Sequence, residues 1–166
     1  FTPKDELMDI ATRIHQLGWH VVIYFEAVAL PELWDFFTAL PNTVVVDHMG
    51  RPDVSKPVDG PEFALFIKFM REHPNVWSKV SCPERLSVTG PKALNGEQAA
   101  YRDVVPFARN IVEQFPDRVL WGTDWPHPNL KGHMPDDGLL VDFIPHIAPT
   151  AELQRKLLVD NPMRLY

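Results

Sequence analysis

The chain is expected to fold as an α/β protein in which helices cover a four-stranded parallel sheet. Three features of the 166-residue sequence point there. Short apolar runs alternate with longer amphipathic segments in the order αβαβαβαβα, and strands joined by helix-length crossovers pair in parallel with right-handed connections. The runs are apolar at consecutive positions, as in Val44-Val45-Val46, which marks strands covered on both faces. Each run also ends in residues that carry chemistry, and in parallel α/β folds the loops after the strands form the mouth of the site.

The elements follow in order. Thr2-Pro3-Lys4-Asp5 is a helix start, with Thr2 as cap and Asp5 and Glu6 at the positive dipole end. Leu7, Ile10, Ala11, Ile14 and Leu17 recur at helical spacing until Gly18 ends the helix. Trp19 to Phe25 is the first strand. A second helix opens at Pro31-Glu32 and stops near Pro41. Thr43 to His48 is the second strand, left through the loop Gly50-Arg51-Pro52-Asp53. Pro61 to His73 is a third helix, with Phe63, Phe66, Ile67 and Met70 on one face, and Asn75 to Ser81 is the third strand. Cys82 to Arg102 is a loop longer than compact domains usually carry, a signal of an active-site lid or an insertion. Val104 to Phe115 is a fourth helix, with Pro106 tolerable in its first turn. Arg118 leads into the fourth strand, Val119-Leu120-Trp121, followed by a second long loop, Asn129 to Gly138. Leu139 to Ile144 is a short helix. Thr150 caps a last helix to Val159, closed by Asn161-Pro162.

Composition bounds the function. Hydrophobic content of 45% and charged content of 23% are ordinary for a soluble globular protein. No stretch approaches the ~20 apolar residues of a membrane span, so no membrane partner is expected. The net charge of -6 argues against a nucleic-acid partner, and an anionic ligand would need local arginines to overcome it. One cysteine, Cys82, precludes an intrachain disulfide and fits a cytoplasmic location. Nothing near Phe1 resembles a signal peptide.

The candidate chemistry gathers at the strand ends: Tyr24 and Glu26 after the first, Asp47, His48 and Arg51 after the second, Ser81 and Arg85 after the third, Asp124 and His127 after the fourth. Four βα units make half of an eightfold barrel or a small open sheet. Groups drawn from several strand ends favour the barrel. Asp124, beside Trp121 and Trp125 just past its strand, suits a general base, against the plainer reading of an Asp that starts a turn before Pro126. His48 is a site histidine or a hydrogen-bonded core one. Arg51 and Arg85, in two loops at one mouth, read as a carboxylate-binding pair. Tyr24 and His127 are equally well explained by packing. His15, His73, His133 and His146 receive no role, and Asp47 braces its loop.

Three segments carry a resemblance. Val-Val-Asp-His-Met-Gly-Arg-Pro-Asp at 45–53, Ser-Cys-Pro-Glu-Arg-Leu at 81–86 and Trp-Gly-Thr-Asp-Trp-Pro-His-Pro-Asn at 121–129 resemble the amidohydrolase superfamily, and within it the 2-pyrone-4,6-dicarboxylate hydrolase branch. The tail, Asp-Asn-Pro-Met-Arg-Leu-Tyr at 160–166, is similar too. The resemblance implies a distorted (β/α)8 barrel and a lactonase of protocatechuate and lignin-aromatic catabolism. It gives Asp124 the role of catalytic base, His48 a place in the active site, and Tyr24, Arg51 and Arg85 the binding of a small anionic dicarboxylate. It also implies that no metal cofactor is used. The family's first strand bears a His-x-His pair that this chain lacks, and four strands stand where eight are expected. Residues 1–166 are therefore expected to be the C-terminal half of the barrel, with a missing N-terminal half-barrel as partner. Two alternatives stand beside this reading. One is a metal-dependent lactonase or decarboxylase in which Asp124 and His48 ligate a divalent ion such as zinc. The other is a non-catalytic half-barrel module.

Overall fold

In the computed structural model, residues 2–91, 100–130 and 134–166 are described. The stretch 92–99 of the long loop after the third strand, and His133, lie outside them.

The apolar runs form the expected strands, the first three trimmed and the fourth extended by Gly122: β1 (Val21–Ile23), β2 (Val44–Val46), β3 (Val76–Ser81) and β4 (Val119–Gly122). All neighbours are parallel and the order is β1-β2-β3-β4, with Val21 opposite Val44, Val44 opposite Val76 and Ser78 opposite Val119. A doubly wound open sheet reverses its strand order at a switch point; a sheet that adds each strand next to the last is built like the wall of a barrel.

On one face, Val21, Ile23, Val44, Val46, Val76, Val80 and Val119 join the main core. The helices α1 (Lys4–His15), α2 (Leu30–Thr38), α3 (Pro61–Glu72) and α5 (Val105–Gln114) supply Ala11, Phe37, Phe63, Phe66, Met70, Phe107 and Ile111 to it. The periodicity located these helices correctly, but Thr2 does not cap α1: Pro3 occupies the cap position and no side chain bonds there.

The other face is covered unevenly. Val45, Trp77 and Leu120 are buried against Leu165, which belongs to a C-terminal helix the sequence did not foretell. After the short helices α6 (Asp137–Asp142) and α7 (Ile144–Ile147), Thr150 caps α8 (Ala151–Arg155) by accepting from the Leu153 amide. A π turn over Lys156–Asp160 follows, and then α9 (Asn161–Leu165). Pro162 was expected to end the helix. It instead sits in the first turn of α9, where a missing N–H costs no helical bond. Asn161, 1% exposed, pins this helix to the base of β4 by donating to the Pro116 and Val119 carbonyls, each at 2.8 Å. Arg164 then stacks over the Trp77 ring, and Tyr166 meets His20 edge-on. At β1 nothing described covers that face, and Val22 is 44% exposed.

Candidate active site

The strands are short because the chain turns sharply at their C-terminal ends. After β2 the chain kinks through Asp47–Gly50 with His48 at φ 51° and Met49 at φ 59°, both left-handed, and Arg51 follows at φ 53°. After β3, Cys82 (φ 64°) leads into the one-turn helix α4 (Pro83–Leu86), which lies inside the stretch expected to be loop. After β4, Asp124 (φ 65°) and His127 (φ 57°) frame the cis Trp125–Pro126 bond. A left-handed backbone is costly for side chains other than glycine, asparagine and aspartate, and such residues gather where packing over-determines them.

These turns bring three of the expected residues into contact. Arg85 Nη2 is 2.9 Å from His48 Nε2 and 3.0 Å from Asp124 Oδ2. The second contact is an ion pair without hydrogen-bond alignment, so the buried Oδ2 keeps its lone pairs. His48 Nε2 stands 3.6 Å from Asp124 Oδ1. Nδ1 of the same ring lies 2.9 Å from the Ser81 hydroxyl. A guanidinium can only donate, so Nε2 accepts from Arg85 and the proton of the neutral ring sits on Nδ1, donated to Ser81. Burial holds the His48 pKa below its usual value, ahead of the opposing pull of Asp124 and Asp47, so the neutral ring is favoured. Trp125 is 75% exposed, and the charged or polar neighbours of the Asp124 carboxylate are His48 and Arg85.

A recess of about 290 Å³ opens over this cluster, lined by His48, Ser81, Asp124, the Asp47–Lys79 ion pair and, from below, Tyr166. A second recess of about 260 Å³ lies beside it and carries Glu26, Arg51, Lys56 and Arg85. Arg85 thus lines the second recess while touching the acceptors of the first. The two arginines do share a mouth, but Arg51 is not free: its Nε is 3.4 Å from Glu26 Oε2. Glu26, to which the sequence reading gave no role, also accepts from the Tyr24 hydroxyl at 2.5 Å. That bond lowers the Glu26 pKa and raises that of Tyr24, which places the anion on Glu26. Tyr24 is half exposed, not core, and lies edge-on to the His48 ring at 6.0 Å.

Cys82, Glu84 and Asp137 were also missed. Cys82 Sγ accepts from Arg85 Nε at 2.6 Å, and burial pushes its thiol up to about 12. Among the described residues, His48, Cys82 and Asp124 have candidate metal-ligand atoms within 4.8 Å of one another. A permanent cation, Arg85, already contacts all three, a placement that opposes a divalent ion among them. No described helix is long and apolar enough to cross a membrane.

The family model described as amidohydrolase matches residues 2–166. A 2-pyrone-4,6-dicarboxylate hydrolase of Comamonas testosteroni is 89% identical over the whole chain, which covers 54% of that protein. A 4-sulfomuconolactone hydrolase of Hydrogenophaga intermedia is 39% identical over 91% of this chain and 48% of its own length. A crystal structure from Agrobacterium tumefaciens superposes with a TM-score of 0.80 at 28% identity, over 99% of this chain and 56% of that one. A Burkholderia multivorans amidohydrolase with bound zinc shares the fold alone, at a TM-score of 0.77 and 16% identity over 96% of this chain and 56% of that one. The chain spans about half the length of the curated relatives it matches.

Proposed function

The chain belongs to the amidohydrolase family, and on that premise we propose that the full-length protein carrying it hydrolyses the lactone ester of 2-pyrone-4,6-dicarboxylate in aromatic catabolism. Residues 1–166 contribute the last four βα units of the barrel domain. The observation that carries the reading is the cluster of Asp124, Arg85 and His48, in which two proton acceptors face one cation at the strand ends. The 89% identical pyrone hydrolase and the 39% identical lactone hydrolase support it.

Asp124 takes a proton from water as the water oxygen attacks the ring ester carbonyl. The carbonyl oxygen gains negative charge, and the guanidinium of Arg85, already aimed between the two acceptors, stabilises it. The ring carbon–oxygen bond then breaks, and the leaving enolate oxygen takes back the proton that Asp124 accepted. The product is an acyclic unsaturated tricarboxylate. His48 orients Arg85 through its Nε2 lone pair, and Ser81 fixes the tautomer that makes that lone pair available. Polarisation of the carbonyl by His48 itself does not suit this tautomer, because Nε2 bears no proton to donate. Arg51 binds one substrate carboxylate by exchanging it for Glu26, with Tyr24 holding the displaced Glu26. The chemistry uses no metal, because Arg85 supplies the positive charge that zinc would.

The test is turnover of the pyrone dicarboxylate by the purified full-length protein after exhaustive treatment with a chelator. Ring opening at undiminished rate is expected. Loss of activity restored by zinc would replace this reading with the metal-dependent one.

A further inference from the structure

We propose that Glu84 and His127 form a positioning pair that holds Asp124 in place from behind the site. The inference rests on the functional reading above for the role of Asp124. Glu84 and Arg85 are adjacent in α4, while Asp124 and His127 close one turn after β4, the His127 amide donating to the Asp124 carbonyl at 2.8 Å. The two elements therefore meet twice. Toward the recess Arg85 meets Asp124 at 3.0 Å, and on the far side Glu84 Oε1 meets His127 Nδ1 at 3.4 Å.

The far contact is fully enclosed: the Glu84 side chain is 0% and the His127 side chain 2% exposed. Enclosing a carboxyl is expensive, and here the cost is only partly recovered, since Glu84 Oε2 has no hydrogen-bond partner. An apolar side chain would fill this space at less cost, so packing does not explain the glutamate. Directionality does. His127 Nε2 is 3.1 Å from Asp137 Oδ1 in the first turn of α6, so one ring spans α4, the β4 turn and α6. The ring cannot rotate without breaking a bond to one of two carboxylates. That fixes a turn whose first and last residues both hold a left-handed backbone. Burial raises the Glu84 pKa, which favours the protonated carboxyl as a partner for the ring.

Three variants of the full-length protein separate positioning from packing. Glu84→Met keeps the volume and removes the bond. Glu84→Gln keeps an amide N–H that can donate to His127 Nδ1 and an oxygen that can accept from it. His127→Asn tolerates the backbone but cannot reach both partners. Glu84→Met and His127→Asn are expected to lower kcat for lactone hydrolysis by about ten- to a hundredfold, with little change in KM. Glu84→Gln should restore most of the rate, and Glu84→Met should melt no lower than wild type. Amide exchange at His127 should quicken in Glu84→Met and stay slow in Glu84→Gln, whether or not any lactone is turned over. Wild-type kcat with unchanged His127 protection in Glu84→Met would overturn the proposal. An inactive wild-type protein on a panel of lactones would overturn the functional reading, and the amide measurement would then decide the pair.

Discussion

Replacing Asp124 by Asn in the full-length protein separates the chemistry of this residue from its structural part. The backbone there is left-handed at φ 65°, a conformation asparagine adopts readily. Alanine would add about 1–2 kcal/mol of strain and confuse the result. The amide is nearly isosteric but does not take a proton from water, so kcat should fall by about 10²–10⁴-fold. Stability should suffer less. Removing one partner of a fully buried ion pair costs about 3–5 kcal/mol. Here the side chains of Arg85 and Asp124 are 13% and 18% exposed, and Arg85 retains His48 and Cys82 as acceptors. Discounted for that solvent access and those acceptors, the loss should be about 1–2 kcal/mol. The assay follows the ultraviolet absorbance of the pyrone ring as it opens, beside a urea titration of both proteins. Near wild-type kcat with an unaltered pH profile would refute the assignment of Asp124 as base.

The arginines should part company: Arg51→Met exposes the Glu26 charge and should raise KM for the dicarboxylate with kcat nearly unchanged, while Arg85→Met should lower kcat as well, because Arg85 also touches Asp124 and His48. Equal steady-state constants for both variants and wild type would show that neither binds substrate. For His48, whose pKa is lowered from 6.5, the unfolded chain takes up its proton first as the pH falls. Its contribution is therefore whole above about pH 6.5 and shrinks as the pH drops toward the folded-state value. Denaturation of wild type and His48→Asn between about pH 5 and 8 should show a stability difference that narrows on the acid side of the unperturbed histidine value; a difference that widens there would reverse the sign. Asn161→Ala strands two carbonyls that now share one buried amide, and should cost about 2–4 kcal/mol by urea titration. A loss under about 1 kcal/mol would mean that water replaces the amide.

What could be read from the sequence is what depends on composition and period. Val44-Val45-Val46 is buried whichever way the strand turns, and Phe63, Phe66, Ile67 and Met70 define one helix face by spacing alone. His48 and Asp124 could be found because each follows an apolar run closely, and Arg85 because it lies in the loop after another; parallel strands bring their ends together. What depends on tertiary placement was hidden. Strand β1 looks as apolar as β2, but its second face depends on what lies beside it, and Val22 is exposed. Nothing local tells that Pro162 begins a helical turn, since proline is as much a first-turn residue as a breaker. Glu84 is one charged residue in a polar stretch until α4 forms and turns it inward, and Glu26 matters only once Tyr24 and Arg51 converge on it.

The left-handed residues at the strand ends restrict which substitutions this site accepts. His48, Met49, Arg51, Cys82, Asp124 and His127 all have positive φ. At such positions the chain favours a short alphabet of glycine, asparagine and aspartate, and valine, isoleucine and threonine are the worst entrants. A scan of the site with β-branched residues would thus measure backbone strain and report it as lost chemistry. For the same reason, new substrate preferences are more easily reached through residues on ordinary backbone, such as those lining the recess from β3 and the C-terminal end of α9, than through the residues proposed for the chemistry. Lys79 and Tyr166 are such positions, whereas Ser81, although on ordinary backbone, is tied to the His48 ring.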